Sequence, residues 1–207
     1  MIIFNASVLD FYQIITPIIT VAYLLIVFVF RSIIVWRQSG VNPFVFSSTE
    51  NAHDYLGFIY KMAVLFMAIT IVCYSYLPAV YQFLNPIPFL LRDSIQMVGV
   101  ALLLISFLWT LIAQVQMSDS WRIGIDYDEK TELVVKGIFA ISRNPVFLGV
   151  VVFYIGIFLI LPNTLSFTLV LVMFITVQVQ VRLEEVYLLE THGEAYQAYK
   201  NSVRRWI

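Results

Sequence analysis

Long apolar runs separated by short polar stretches dominate this chain. A helix that crosses the hydrocarbon core of a membrane needs about 20 apolar residues, and five runs approach or reach that length. We therefore predict five membrane-spanning helices, at about Ile14 to Trp36, Phe58 to Leu84, Ile95 to Met117, Val146 to Leu161 and Leu165 to Val181.

The last two runs are separated by only a few residues, among them Pro162 and Asn163. Without a break, a helix from Val146 to Val181 would be about 54 Å long, whereas the hydrocarbon core is about 30 Å thick. Pro162 lacks a backbone donor and clashes with the preceding helical turn. We therefore predict a tight helical hairpin that returns the chain to the membrane face it came from.

Two polar stretches have a different pattern. Apolar and polar residues alternate on both sides of an acidic turn between Trp121 and Val135, which predicts a small β-hairpin or an extended cover. The loop over residues 38–56 contains Asn42, Pro43, His53 and Asp54, and either covers a pocket or merely links two helices.

Composition supports an all-α integral membrane protein. Of the 207 residues, 61% are hydrophobic and 12% are charged, about half the charged share of a soluble domain. We predict a single membrane domain over residues 1–207, with three N-terminal helices in 1–117 and a cofactor-binding core in 118–207. The net charge of −1 and the lack of a long basic run argue against nucleic-acid binding.

The basic residues predict the orientation, because Lys and Arg accumulate on the cytoplasmic side of a membrane protein. An outside N-terminus and a cytoplasmic C-terminus leave only Arg92 outside. The other eleven then lie on or near the cytoplasmic side: Arg31, Arg37, Lys61, Arg122, Lys130, Lys136, Arg143, Arg182, Lys200, Arg204 and Arg205. The first run has no basic segment before it, so we read it as a retained anchor.

Two polar clusters, at residues 143–145 and 182–185, come to the same face through the hairpin. Arg143 precedes a helix that begins at Pro145, and it either reaches lipid phosphates or binds a carboxylate at the helix N-terminus. Arg182 and Glu185 either form an ordinary helix pair or line a polar cavity. With two dispersed histidines and one cysteine in the chain, we expect no metal site.

The pattern of these residues resembles the isoprenylcysteine carboxyl methyltransferase family and its bacterial relatives. The resemblance covers about residues 119–205, in which the individual motifs are short but their order and spacing are characteristic. Its motifs are Leu133-Val134 with Gly137, Ser142-Arg143-Asn144-Pro145 with Gly149, Arg182-Leu183-Glu184-Glu185, and Gly193 with Tyr196 and Tyr199. The eukaryotic enzymes have histidine in place of Asn144 and tyrosine in place of Phe147.

The resemblance implies an S-adenosylmethionine site on the cytoplasmic side of a membrane, here a bacterial inner membrane. Arg182 would hold the carboxylate of the acceptor, and Glu185 is the first candidate for a base if the acceptor is an amine. The implied cofactor-binding residues are Val135, Lys136, Gly137, Phe139, Arg143, Asn144, Pro145, Leu148, Glu184 and Tyr196.

We expect methyl transfer to a lipophilic acceptor, such as an isoprenylcysteine-like carboxylate or a phospholipid head group. A carboxylate needs no general base, so positioning and desolvation would supply most of the catalysis. Two alternatives remain open: an NADPH-dependent membrane reductase, and a non-enzymatic membrane protein in which the charged residues form structural ion pairs.

Overall fold

A computed structural model describes residues 6–40, 52–124 and 132–207, except for the side chains of residues 6–10, 52 and 119. Helix α1 (Ala6–Tyr23) continues through a π-helical segment (Leu24–Phe30) into α2 (Arg31–Ser39). The other helices are α3 (Ala52–Tyr76), α4 (Pro78–Tyr81), α5 (Asp93–Met117), α6 (Pro145–Ile160), α7 (Thr164–His192) and α8 (Glu194–Ser202). Short 3-10 turns lie at Gln82–Leu84, Pro88–Leu90, Ser118–Ser120 and Gly137–Ala140.

Four helices are long and apolar enough to cross a membrane, which agrees with an integral membrane protein. They are Phe11–Ser39, His53–Tyr76, Asp93–Met117 and Thr164–His192. The predicted fourth span is α6, an apolar helix of 16 residues, or about 24 Å. Four of the five predicted spans are thus confirmed by length and composition, and a fifth crossing by α6 stays a prediction.

The second and the last predicted spans end at other residues than predicted. The second span ends at Tyr76 instead of Leu84, because the residue before a proline avoids helical geometry; Leu77, before Pro78, has φ −129° and ψ 62°. The last span continues past Val181 to His192. Its 29 residues make about 44 Å of helix, so its charged C-terminal part extends beyond the apolar run.

The predicted hairpin is confirmed. Helix α6 ends at Ile160 and α7 begins at Thr164, as expected from Pro162 and Asn163. Asn163 caps α7, since its side chain accepts a hydrogen bond from the Ser166 amide at 2.9 Å while the Ser166 hydroxyl accepts from the Asn163 amide. The capping box supplies the partners that the first turn of a helix lacks.

Contacts between helix ends establish the direction of each helix. The Tyr12 hydroxyl donates to Asp93 at 2.6 Å, and Arg31 donates to the Gln114 carbonyl at 3.0 Å, so α1 and α2 run alongside α5 in the same direction. Helix α6 runs the opposite way, because Trp109 donates to the Pro145 carbonyl at 2.9 Å. We call the end of the bundle that contains Arg31, Gln114 and Pro145 the basic end.

Helices α5 and α6 approach each other closely where both contain glycine. A Cβ atom on Gly99 would lie 2.8 Å from the Gly156 carbonyl oxygen, and one on Gly149 would collide with the Thr110 hydroxyl. Small residues permit this approach in membrane helix pairs. This close contact between α5 and α6 fixes the N-terminus of α6, and therefore Arg143, at one position along α5.

The predicted β-hairpin cannot be followed completely, because residues 125–131 lie outside the described part of the chain. The described residues contain isolated β-bridges but no strand. Residues 41–51 of the loop at 38–56 are also outside the described part, and α3 already begins at Ala52, earlier than predicted.

Candidate functional site

Two cavities lie at the basic end of the bundle. The larger cavity has a volume of about 480 Å³ and is enclosed by α3, α6, α7 and the π-helical segment. The smaller cavity has a volume of about 130 Å³ and lies toward α8. Seven residues line both cavities and form their shared wall: Met117, Arg122, Gly124, Phe139, Arg143, Asn144 and Glu184.

The larger cavity is apolar over most of its wall. Met67 and Met173 line it, together with Tyr23 and Phe153, whose rings stack with their centroids 4.1 Å apart. Ligand sites usually have volumes of about 300–1,000 Å³ and apolar walls with a few polar groups. The larger cavity therefore has the size and character of a site for a partly apolar ligand.

Arg143 has buried hydrogen-bond donors without partners. Its side chain is 8% exposed, and its Nη2 atom lies 3.4 Å from Oε1 of Glu185. The Nε and Nη1 atoms have no hydrogen-bond partner among the described residues. Since buried donors are nearly always paired, these two nitrogens indicate a place for an anionic ligand beside the cavities.

Glu184 is the acidic residue of the shared wall. One of its oxygens accepts a hydrogen bond from the Gln180 amide at 2.9 Å. Gln180 is 1% exposed, and its own carbonyl oxygen has no partner among the described residues. Glu184 and Gln180 therefore present hydrogen-bond acceptors to the larger cavity, at a short distance along α7 from each other.

Glu185, the next residue, faces a different part of the molecule and lines neither cavity. It is 7% exposed and accepts two hydrogen bonds of 2.8 Å from Arg205, one from Nε and one from Nη2. This bidentate geometry is the strong form of an arginine–carboxylate pair. The hydrogen bond to Glu185 raises the pKa of Arg205, so the arginine stays charged.

The chain after α8 lies against the loop that contains Arg143. The Arg143 amide donates to the Arg204 carbonyl at 3.0 Å, and the Asn144 side chain donates to the Arg205 carbonyl at 3.2 Å. The Tyr199 hydroxyl donates to the Phe139 carbonyl at 2.6 Å. Burial raises the pKa of Tyr199 to about 12, which keeps this donor protonated.

The structure brings part of the predicted cofactor-binding set together. Phe139, Arg143, Asn144, Pro145 and Glu184 line the larger cavity. Tyr196 is buried, and its hydroxyl interacts with Arg143. Burial, followed by the negative charge of Glu185, raises the pKa of Tyr196.

The other predicted site residues line neither cavity. They are Val135, Lys136, Gly137, Leu148, Arg182 and Glu185. Arg182 is exposed and donates to the Gln178 side chain at 2.9 Å. Gly137, at φ +64°, lies against the Gln116 side chain, whose Oε1 accepts from the Ile138 amide at 2.8 Å.

Three polar residues of this region were missed in the sequence. Gln180 and Tyr154 line the larger cavity, and the Tyr154 hydroxyl has no partner among the described residues. Both lie within predicted apolar helices, where a polar side chain is itself a signal of function. No motif pointed to Arg205, because its partner is 20 residues away in the chain.

Comparison with known proteins connects this geometry to a chemistry. The sequence model of the phospholipid methyltransferase family matches residues 94–195, from α5 to the start of α8, which are 102 of the 207 residues. No curated protein matches the chain. The matched segment contains the hairpin, Arg143 and both glutamates, and the phospholipid methyltransferase family itself belongs to the isoprenylcysteine carboxyl methyltransferase-type clan of membrane methyltransferases.

Proposed function

We propose that this protein transfers a methyl group from S-adenosylmethionine to a lipophilic acceptor at the larger cavity. The observation that supports the proposal is the shared wall, where Arg143 and Glu184 place opposite charges beside a large apolar hollow. The match to the methyltransferase family covers both residues. A polar cofactor and an apolar acceptor could thus meet at one place.

The residues of the shared wall fit the chemical groups of S-adenosylmethionine. The free donors of Arg143 match a carboxylate. The carboxylate of Glu184 matches an ammonium or a sulfonium group, and the face of Phe139 can contact a cation or a flat base. These three side chains would hold the cofactor in this proposal.

When bound, S-adenosylmethionine would supply an electrophilic methyl group for in-line displacement by a lone pair of the acceptor. The protein contributes alignment and the exclusion of water. Apolar side chains such as Met67, Phe153 and Met173 surround the cavity, and fixing two reactants in line can supply about 7–11 kcal/mol of the barrier.

Two classes of acceptor fit the cavity. An isoprenylcysteine-like carboxylate would need no base, because it is already deprotonated at neutral pH. An amine in a phospholipid head group could instead donate to Gln180 and Glu184, whose oxygens face the cavity. Glu184 would then be the residue that accepts the amine proton.

Binding of the cofactor is the first test. Isothermal titration of the detergent-solubilised protein with S-adenosylmethionine should show one site, and Arg143→Ala and Glu184→Gln should each weaken it at least tenfold. Arg92→Ala is the matched control, since Arg92 is exposed at the opposite end of the bundle. Absence of binding by the intact protein would overturn the proposal, and binding of NADPH alone would favour a reductase.

The acceptor is tested by following a labelled methyl group. The protein in nanodiscs is given labelled S-adenosylmethionine with either an aminophospholipid or a prenylated cysteine, and the products are identified by mass spectrometry. Label on the phospholipid nitrogen or on the cysteine carboxylate distinguishes the two acceptor classes. A protein that binds the cofactor but labels neither compound would contradict both assignments.

A further inference from the structure

We infer that Arg205 is a positioning residue. It binds both carboxylate oxygens of Glu185 and thereby keeps the donors of Arg143 available to an anionic ligand. The inference rests on the proposed function in one respect, because the ligand we assign to Arg143 is the carboxylate of S-adenosylmethionine. The arrangement of the three side chains is itself independent of that assignment.

The distances show which arginine holds the carboxylate. Arg205 donates to both oxygens of Glu185 at 2.8 Å, whereas Arg143 approaches a single oxygen at 3.4 Å. The longer distance exceeds the usual range of a hydrogen bond between nitrogen and oxygen. Glu185 therefore compensates the charge of Arg143 without using its Nε and Nη1 donors.

Without Arg205, the same carboxylate would compete with the ligand. A buried arginine and a carboxylate at this separation need only a small side-chain rotation to form two parallel hydrogen bonds. Such a pair would use Nη2 and one of the two donors, Nε or Nη1, that the ligand needs. Arg205 prevents this competition because it already occupies both oxygens of Glu185.

The chain end is built to place Arg205 at this position. The Arg204 carbonyl accepts from the Arg143 amide at 3.0 Å. The Arg205 carbonyl accepts from the side chains of Ser142 at 3.4 Å and Asn144 at 3.2 Å. The backbone at residues 204–205 is therefore fixed to the loop that contains Arg143, so both arginines are set relative to the same carboxylate.

Charge also favours an anion at this place. Arg143, Glu185 and Arg205 together have one positive charge in excess, and Glu185 lies outside the cavities while Arg143 lines them. Within this set of three, the arginine that faces the shared wall is Arg143, and Glu184 is the acidic residue of the same wall. A carboxylate on the ligand would complete the set as a second negative partner.

The test compares affinity for S-adenosylmethionine among four variants. Arg205→Ala should weaken binding at least tenfold, and Arg205→Lys should weaken it less, because lysine keeps the charge but donates from one point. Arg204→Ala is the matched control, since Arg204 contributes its main-chain carbonyl and its side chain is exposed. Arg205→Ala combined with Glu185→Gln should recover affinity, since a neutral amide competes weakly for Arg143.

A structural role alone gives a different pattern. If Arg205 only tied down the chain end, the double variant would bind as weakly as Arg205→Ala, and that result would overturn the inference. Unchanged affinity in both Arg205 variants would overturn it as well. If Arg205→Ala does not fold, Arg205→Lys, alone and combined with Glu185→Gln, makes the same comparison.

A crystal structure of the Arg205→Ala or Arg205→Lys variant without ligand provides a second readout. We expect Glu185 in the alanine variant to form two hydrogen bonds with Arg143, and an unchanged single contact near 3.4 Å would contradict the inference. Failure of the intact protein to bind S-adenosylmethionine would instead reject the proposed function, while this crystal structure would still decide the role of Arg205.

Discussion

Glu184 and Glu185 are consecutive residues of α7, yet they belong to two different regions of the molecule. Glu184 is part of the shared wall and accepts one hydrogen bond from Gln180. Glu185 is part of the junction with the chain end and accepts two from Arg205. Consecutive residues of an α-helix point about 100° apart, so one turn of α7 serves both regions.

The comparison shows how an apolar protein uses its few charges. At the junction, every oxygen of Glu185 has a partner, as stability requires of a buried carboxylate. At the shared wall, Arg143 and Gln180 retain polar atoms without partners among the described residues. Incomplete pairing at the cavity and complete pairing at the junction distinguish a candidate site from a structural contact.

The junction should respond most strongly to loss of its carboxylate. Glu185→Ala leaves Arg143 buried without a counter-charge, and removal of one partner of a buried pair costs about 3–5 kcal/mol. We expect a loss of that order in the free energy of unfolding in detergent. Glu190→Ala, at an exposed position of the same helix, is the control, and equal stability of the two variants would refute a structural role for Glu185.

Loss of the negative charge at the shared wall should weaken cofactor binding without lowering the stability of the protein. Glu184→Gln keeps the size of the side chain and its hydrogen-bond acceptor for Gln180, but it removes the charge. We expect affinity for S-adenosylmethionine to fall at least tenfold, about 1.4 kcal/mol, with an unfolding midpoint close to that of the parent. A variant that unfolds earlier yet binds normally would reverse the contrast between the two glutamates.

A smaller loss is expected from the hydrogen bond between α8 and the loop before Arg143. Tyr199→Phe removes the donor to the Phe139 carbonyl, which should lower the free energy of unfolding by about 0.5–1.5 kcal/mol. Tyr55→Phe alters an exposed tyrosine and controls for loss of a hydroxyl. Matching unfolding curves for the two variants would show that this contact does not stabilise the junction.

The smallest effect is expected at Arg182. Its side chain is exposed, and its hydrogen bonds to described residues are to Gln178 of the same helix, so Arg182→Ala should change stability by less than about 0.5 kcal/mol. Affinity for S-adenosylmethionine should be unaffected. A raised KM for a carboxylate acceptor in this variant would support the role that the family resemblance implies for Arg182, although Arg182 lines neither cavity.

The order of apolar and polar residues predicted most of the architecture. The lengths of the apolar runs predicted four of the helices that are long enough to cross a membrane, and Pro162 with Asn163 predicted the hairpin. The hairpin predicted that Arg143 and Glu185 meet, and their side chains lie 3.4 Å apart. The second span is shorter than the apolar run predicts, because Leu77 precedes Pro78 and does not adopt helical geometry.

The sequence by itself determined that this is a helical membrane protein whose two charged clusters lie at the same end, since helix length, apolar content and proline breaks are local properties of the chain. Only the tertiary structure decided which glutamate lines the cavity and which one forms the hydrogen bonds with Arg205. These choices depend on the rotation of α7 about its axis and on the docking of the chain end against the Arg143 loop. Both result from contacts between residues far apart in sequence, which no local pattern specifies.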